Sequence, residues 1–202
     1  FDHKIYDIKK FNKIKKFIKI KKNILNNILL YKKKIFKNQN ILGIHYRGTS
    51  YKTSANHPMP PTKLQMHNLI HKKLKKNKFD KIFISTEDED MYQFLKFNFK
   101  NQIIGLDSFR SKKDDAFKVY FRSKHRYLLG KEIIVESILL SFCNQFMFVQ
   151  TNVSNFVRFI NPEIKIEIID NGMNSKNEYI AKYLWTVKNN LPSFLGGFKN
   201  NL

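Results

Sequence analysis

Apolar residues recur every three to four positions near the start of the chain. Ile5, Ile8, Phe11, Ile14, Phe17 and Ile18 follow that spacing, and Ile24, Ile28, Tyr31 and Ile35 continue it after Asn23. Lysines fill the gaps, so the period predicts one or two amphipathic helices with the apolar stripe on a sheet and the lysines in water. From Ile41 the pattern changes to short apolar runs that end in polar residues. Ile41–Tyr46 (ILGIHY), Asp80–Ser85 (DKIFIS), Asn101–Leu106 (NQIIGL), Gln145–Val149 (QFMFV) and Glu163–Ile169 (EIKIEII) read as five strands. Helical patterns lie between and after them: Thr62 to about Asn77, Met91–Phe99, Gly130–Ser141, a helix starting at Thr151–Asn155, and one around Trp185 ended by Pro192 and Gly196-Gly197. Thr62 with Gln65, and Thr86 with Glu89, have capping-box spacing. In Gly130–Ser141 the spacing turns Ile133, Ile134, Ser137 and Leu140 inward, with Glu136 among apolar neighbours. Asp107–His125 is polar, carries both signs of charge, and reads as a mobile loop with Arg110, Arg122 and Arg126 in or beside it. Strands alternating with helices predict an α/β fold, a Rossmann-like parallel sheet with flanking crossover helices. The chain divides into a basic amphipathic helical segment, 1–40, and a Rossmann-like domain, 41–202.

Charge adds a second layer. The chain has 202 residues and is 42% hydrophobic, enough for one core, yet its net charge is +22. Residues 1–40 hold thirteen lysines, no arginine and two aspartates, a net +11 and half of the excess. Only five arginines occur in the chain, at 47, 110, 122, 126 and 158. Arginine is the preferred bidentate reader of bases and phosphates, so a lysine excess argues for solvated charge rather than nucleic-acid binding. Attraction to an anionic membrane surface is the more plausible accessory property. No apolar run approaches the roughly 18 residues of a membrane helix. Cys143 is the only cysteine, which excludes an internal disulfide and fits a cytoplasmic location, with membrane association on the cytoplasmic face. The chain opens on Phe1 rather than Met and reads as an excerpt of a longer protein.

Three polar clusters fall at the carboxyl ends of strands: His45/Arg47, Thr86–Asp88 and Thr151–Asn155. In a doubly wound sheet those ends share one edge, so the clusters can converge. Gly48, Pro58, Pro60 and Pro61 supply the irregular backbone after the first strand. Arg47 can pair with a phosphate bidentately, and Thr151–Asn155 offers hydroxyls and N–H groups at a helix start, a natural phosphate seat. A Glu136 carboxylate suits guanine, because it can accept from both N1–H and the 2-amino group. Plainer readings stand beside each of these. Arg47 could close a surface turn, Thr86–Asp90 could simply start a helix, and Glu136 could pair with a lysine. His67 and His71, four apart, read as surface histidines rather than a metal pair, and no metal site is expected. No P-loop, GxGxxG, zinc spacing or GxSxG occurs.

HYRGTSY with the following HPMPP, then IFISTEDED, then LLSFCNQFMFVQTNVSNFVRF, resemble the three ordered motifs of GDP-fucose-dependent fucosyltransferases. That superfamily includes α1,6-, α1,2- and protein O-fucosyltransferases. The resemblance covers roughly residues 40–162 and is nearest to bacterial members acting in surface-glycan biosynthesis. It implies inverting, metal-independent transfer of L-fucose from GDP-fucose to a glycan hydroxyl, with no cofactor beyond the donor. It also implies a GT-B fold, of which this chain looks like the carboxyl-terminal, nucleotide-binding half. By the same resemblance Arg47, followed by Gly48, binds the β-phosphate and takes up charge as GDP leaves. His45 orients the guanosine side, and Glu136 stands where an aspartate usually reads guanine. Thr151, Asn152, Ser154 and Asn155 fall on the phosphate-binding turn. Thr86, Glu87 and Asp88 lie near the ribose or sugar, and His57 or Asp88 are candidates for the base. Two positions depart from the family: Ser50 replaces a common aspartate, and Ala55 lies where some relatives place a catalytic glutamate. A catalytically inactive nucleotide- or glycan-binding module is therefore the alternative reading, and a basic nucleic-acid-binding protein a third.

Overall fold

The run ILGIHY has no polar alternation, which suits a strand with helices on both faces. In a computed structural model, which describes residues 13–113, 116–118 and 120–199, this run is β1 (Ile41–Tyr46), buried at all six positions. It lies at the centre of a five-stranded parallel sheet with β2 (Lys81–Thr86), β3 (Ile103–Ile104), β4 (Gln145–Phe148) and β5 (Lys165–Ile168). The order is β3-β2-β1-β4-β5. The chain thus builds outward one way from β1, then returns to β1's other edge as β4. That reversal leaves a crevice at the carboxyl end of β1 and β4, where doubly wound sheets bind ligands.

Successive residues of β1 feed two apolar layers. Leu42, Ile44 and Tyr46 pack with Met66 and Ile70 of α2 (Lys63–Lys76) and with Met91 and Leu95 of α3 (Glu89–Phe99). The opposite layer joins Ile41, Phe83, Phe146 and Phe148 to α4 (His125–Ser141) and α5 (Asn152–Ile160). Ile28 of α1 (Lys22–Tyr31) and Phe36, at the end of a π-helical turn, belong to the same layer. The last helix, α6 (Glu178–Asn190), carries Trp185. No helix among the described residues is long and apolar enough to cross a membrane.

Several expectations take a different form. The helical stripe at Ile5, Ile8 and Phe11 lies outside the described residues, while Ile14, Phe17 and Ile18 do not pack on the sheet and Phe17 is 86% exposed. Of the later stripe, Ile24, Ile28 and Ile35 pack, whereas Tyr31 is exposed. The Thr62–Gln65 capping box is present in both directions. The Thr86–Glu89 one is not: Asp88 caps α3 instead, accepting from the Met91 N–H at 2.9 Å. α4 starts five residues before Gly130; Ser137 and Leu140 are buried as expected, together with Val135, Ile138 and Leu139, while Ile134 is exposed.

The sheet and α4 meet without room for a side chain at Gly43. A Cβ there would lie 2.8 Å from Cys143 Sγ and 3.1 Å from Leu140 Cδ2. Burial pushes the Cys143 thiol far above its ordinary value, so it acts as an apolar packing group. Gly43→Ala is expected to cost about 1–3 kcal/mol of stability by overpacking, read from denaturant midpoints. An unchanged midpoint would contradict this packing.

Candidate functional site

The tips of β1 and β2 are tied together by one carboxylate. Glu87 Oε1 accepts from the Gly48 N–H (3.0 Å), the Thr49 N–H (3.3 Å) and the Thr49 hydroxyl (3.2 Å). The same oxygen lies 3.4 Å from Arg47 Nε. Burial raises the Glu87 pKa, and the Arg47 charge and the backbone donors oppose that rise. Arg47 is therefore held at the mouth of the crevice. Its Nη2 donates to Ser50 Oγ at 3.3 Å, and its guanidinium lies over the rings of Phe117 (5.1 Å) and Tyr51 (5.6 Å).

Behind Arg47 stands His45, 4% exposed, with neither ring nitrogen in a hydrogen bond of good geometry. Burial, reinforced by the Arg47 charge and opposed by the Ser85 backbone beside the ring, pushes its pKa down to about 3. The imidazole is therefore neutral and presents one donor and one acceptor. Unsatisfied buried groups of this kind cost about 1–3 kcal/mol each, which a ligand making those bonds would recover.

Glu136, from α4, closes the far end and is 6% exposed. Its Oε2 accepts from Ser85 Oγ and its Oε1 from Ser108 Oγ, both at 2.6 Å. Burial raises its pKa, while the two hydroxyls and the Arg110 charge hold it down. Hydroxyls rather than a lysine thus satisfy this carboxylate. A carboxylate has about four lone-pair sites, so two remain for further donors.

Ser108, Phe109, Ala116 and Phe117 form the wall opposite, and several described residues around them are anchored. Arg122 Nη2 donates to Glu132 Oε2 at 2.7 Å, and the Phe109 N–H reaches the same oxygen at 3.3 Å. Arg110 donates to the Ser108 and Leu106 carbonyls and stacks over Tyr92 at 3.8 Å. A ring nitrogen of buried His125, Nε2, lies 2.8 Å from the Ala116 carbonyl oxygen, and the imidazole packs edge-on to Phe109 and Phe121.

His45, Arg47, Thr86, Glu87 and Glu136 consequently line one cleft, joined by Ser85, Ser108, Phe109, Phe117, Glu132 and Val153. The cavity between them is about 50 Å³, room for a few waters, and Phe117 forms part of its wall. Other candidates sit elsewhere. Ser154 is fully buried; its N–H donates to Thr151 Oγ1, while its Oγ accepts from the Thr151 N–H and donates to the Thr151 carbonyl. Asn155 Oδ1 accepts from Gln150. Those side chains hold the start of α5, so Val153 is what that turn presents to the cleft. Asn152 and Val153 there have N–H groups with no intrahelical acceptor. Asp88, 2% exposed, caps α3 through Oδ1 and pairs through Oδ2 with Lys52 Nζ at 3.0 Å. His57 packs on Tyr51 at 4.6 Å, with Nδ1 2.8 Å from the Ala55 carbonyl oxygen, and does not line the cleft. No group of three or more His, Cys, Asp or Glu among the described residues could hold a metal ion.

No protein-family profile and no curated protein matches the chain by sequence. Among solved structures it matches NodZ alpha-1,6-fucosyltransferase co-crystallized with GDP, with a TM-score of 0.53 at 16% identity, over 76% of this chain and 46% of that one. NodZ alpha-1,6-fucosyltransferase soaked with GDP-fucose gives a TM-score of 0.50 at 16% identity, over 75% and 45%. The chain shares the α/β fold of part of these structures. The chain spans a little under half the length of these structures. What is shared at this identity is the parallel α/β architecture that the alternating pattern and the motif resemblance both implied.

The buried carboxylate sets a pH dependence. Unfolded, Glu136 titrates near the ordinary value of 4.5; folded, its pKa is raised, so the native state keeps the proton longer. Its contribution to stability is full below about 4.5 and is lost as pH climbs through the raised value. Relative to Glu136→Gln, the wild type should therefore lose stability as the pH rises above about 4.5, read from denaturant midpoints. Parallel pH profiles would contradict the assigned environment.

Proposed function

We propose that the chain is the nucleotide-sugar-binding part of a glycosyltransferase that takes GDP-fucose as donor and passes L-fucose to a glycan hydroxyl, with inversion and without a metal ion. The observation that carries this reading is the cleft itself. A fixed guanidinium, a neutral unpartnered imidazole and a buried carboxylate with spare lone pairs share one cavity at the sheet's reversal point. The likeness in fold to fucosyltransferases and the three ordered motifs support the same donor.

On this reading guanine donates N1–H and its 2-amino group to Glu136, whose orientation Ser85 and Ser108 fix. The diphosphate lies towards Arg47 and the first N–H groups of α5. As the sugar–phosphate bond breaks, its electron pair passes to the β-phosphate oxygen, and Arg47 stabilises that charge from a position Glu87 has already set. Adenine cannot offer two donors to one carboxylate in this arrangement, so the site should discriminate between purines.

Calorimetric titration tests the donor assignment. GDP should bind more tightly than ADP or UDP, and equal affinity for all three would defeat the guanine reading. Arg47→Ala should weaken GDP binding by about 10- to 100-fold, the loss of a charge-assisted phosphate contact. Unaltered affinity would remove Arg47 from the site. Phe117→Ala should speed GDP association by clearing the space under Arg47, and an unchanged rate would show that Phe117 is no barrier.

A second reading, a GDP-sugar-binding module without transfer activity, is favoured by one observation. The two candidate bases, His57 and Asp88, lie outside the cleft, and Asp88 is already committed to a helix cap and an ion pair. Consumption of GDP-fucose by the purified chain would exclude it.

A further inference from the structure

A second cavity, of about 360 Å³, opens on the other face of the sheet. Tyr46 lines it, whereas its neighbour His45 lines the cleft; Asp88 and Glu87 divide in the same way. Successive residues of a strand point to opposite faces, which separates Tyr46 from His45, and Glu87 and Asp88 part just beyond the end of β2, so the two spaces share this region as a common wall. Gly48 closes that wall, because any side chain there would collide with the Tyr46 ring and Asp88.

The lining has a definite chemistry. Trp185 is fixed by its Nε1–H, which donates to the Pro60 carbonyl at 2.8 Å. Lys52 Nζ stands 5.2 Å from the indole centroid, held there by Asp88. Asn189 and Asn190 extend the same helix along the cavity. A rigid aromatic ring bordered by amides and an ion pair matches a pyranose. The C–H face of such a ring packs on an aromatic plane, and its hydroxyls both donate and accept.

We propose that this cavity is a carbohydrate-binding subsite in which Trp185 stacks against one sugar ring while Lys52, Asn189 and Asn190 bond its hydroxyls. Its further role as the docking place of the acceptor glycan rests on the glycosyltransferase reading above.

Trp185 is the only tryptophan in the chain, so its emission reports on this cavity. Titration with lactose, maltotriose, cellotetraose and N-acetyllactosamine should produce a saturable change with at least one of them. Asn189→Leu should weaken that response at least tenfold with the circular dichroism spectrum unchanged, and Lys52→Met should do the same. No saturable change with any of the four, or an undiminished response in Asn189→Leu, overturns the proposal. So does a change in Trp185 emission produced by GDP and not by sugars. Calorimetry with GDP on the same samples separates the two claims. GDP binding without a sugar response sinks the subsite alone. A sugar response without GDP binding keeps the carbohydrate site and removes the donor reading, and with it the acceptor role.

Discussion

A single oxygen, Glu87 Oε1, gathers the donors of the β1 turn. Two backbone N–H groups, one hydroxyl and the Arg47 guanidinium converge on it. Without that acceptor the Gly48 and Thr49 N–H groups would lose their shared partner, and Arg47 its ion pair. Burial makes the Glu87 charge costly, and the arginine is what makes it tolerable. The cleft is thus built outward from a carboxylate that needs its cation. Structural and functional readings of Thr86–Asp88 meet here: this stretch starts a helix and also aims the arginine.

The energetics of the cleft run against stability. His45 is buried with two unpartnered nitrogens, and Glu136 is buried with its pKa raised. A fold selected only for stability would place apolar groups at both positions, since a buried polar group without its full set of partners is a net cost. Both lie within one cavity beside Arg47. That cost is concentrated in one place, at the sheet's reversal point.

Much of the scaffold could be read from the chain before its coordinates. Five apolar runs with polar ends gave the five strands: β1, β2 and β4, buried nearly throughout, read as continuous apolar stretches, while the edge strand β5 interleaves charge with isoleucine. Thr62 with Gln65 gave a helix start, because the capping box is local chemistry. What could not be read was anything set by tertiary partners. Thr86 and Glu89 have capping-box spacing, yet Asp88 takes the role because the β2 tip turns its carboxylate towards Met91. Ser154 carries a hydroxyl on the expected phosphate turn, but that hydroxyl closes the turn on Thr151. Ser85 and Ser108, the groups that satisfy Glu136, are 23 residues apart and unremarkable in sequence. The stretch from Asp107 reads as a loop because it is polar and carries both signs of charge, and the anchors of its described residues, Glu132 and His125, lie on the helix that follows it.

The nitrogen resonances of the His45 imidazole offer a sharp test that the cleft is a ligand site. In the free chain His45 should remain neutral down to a pH of about 3, and its ring nitrogens should shift on addition of GDP as they gain partners. A His45 that titrates near 6.5, with nitrogen shifts indifferent to GDP, would contradict both the buried, unpartnered imidazole and the nucleotide cleft built around it.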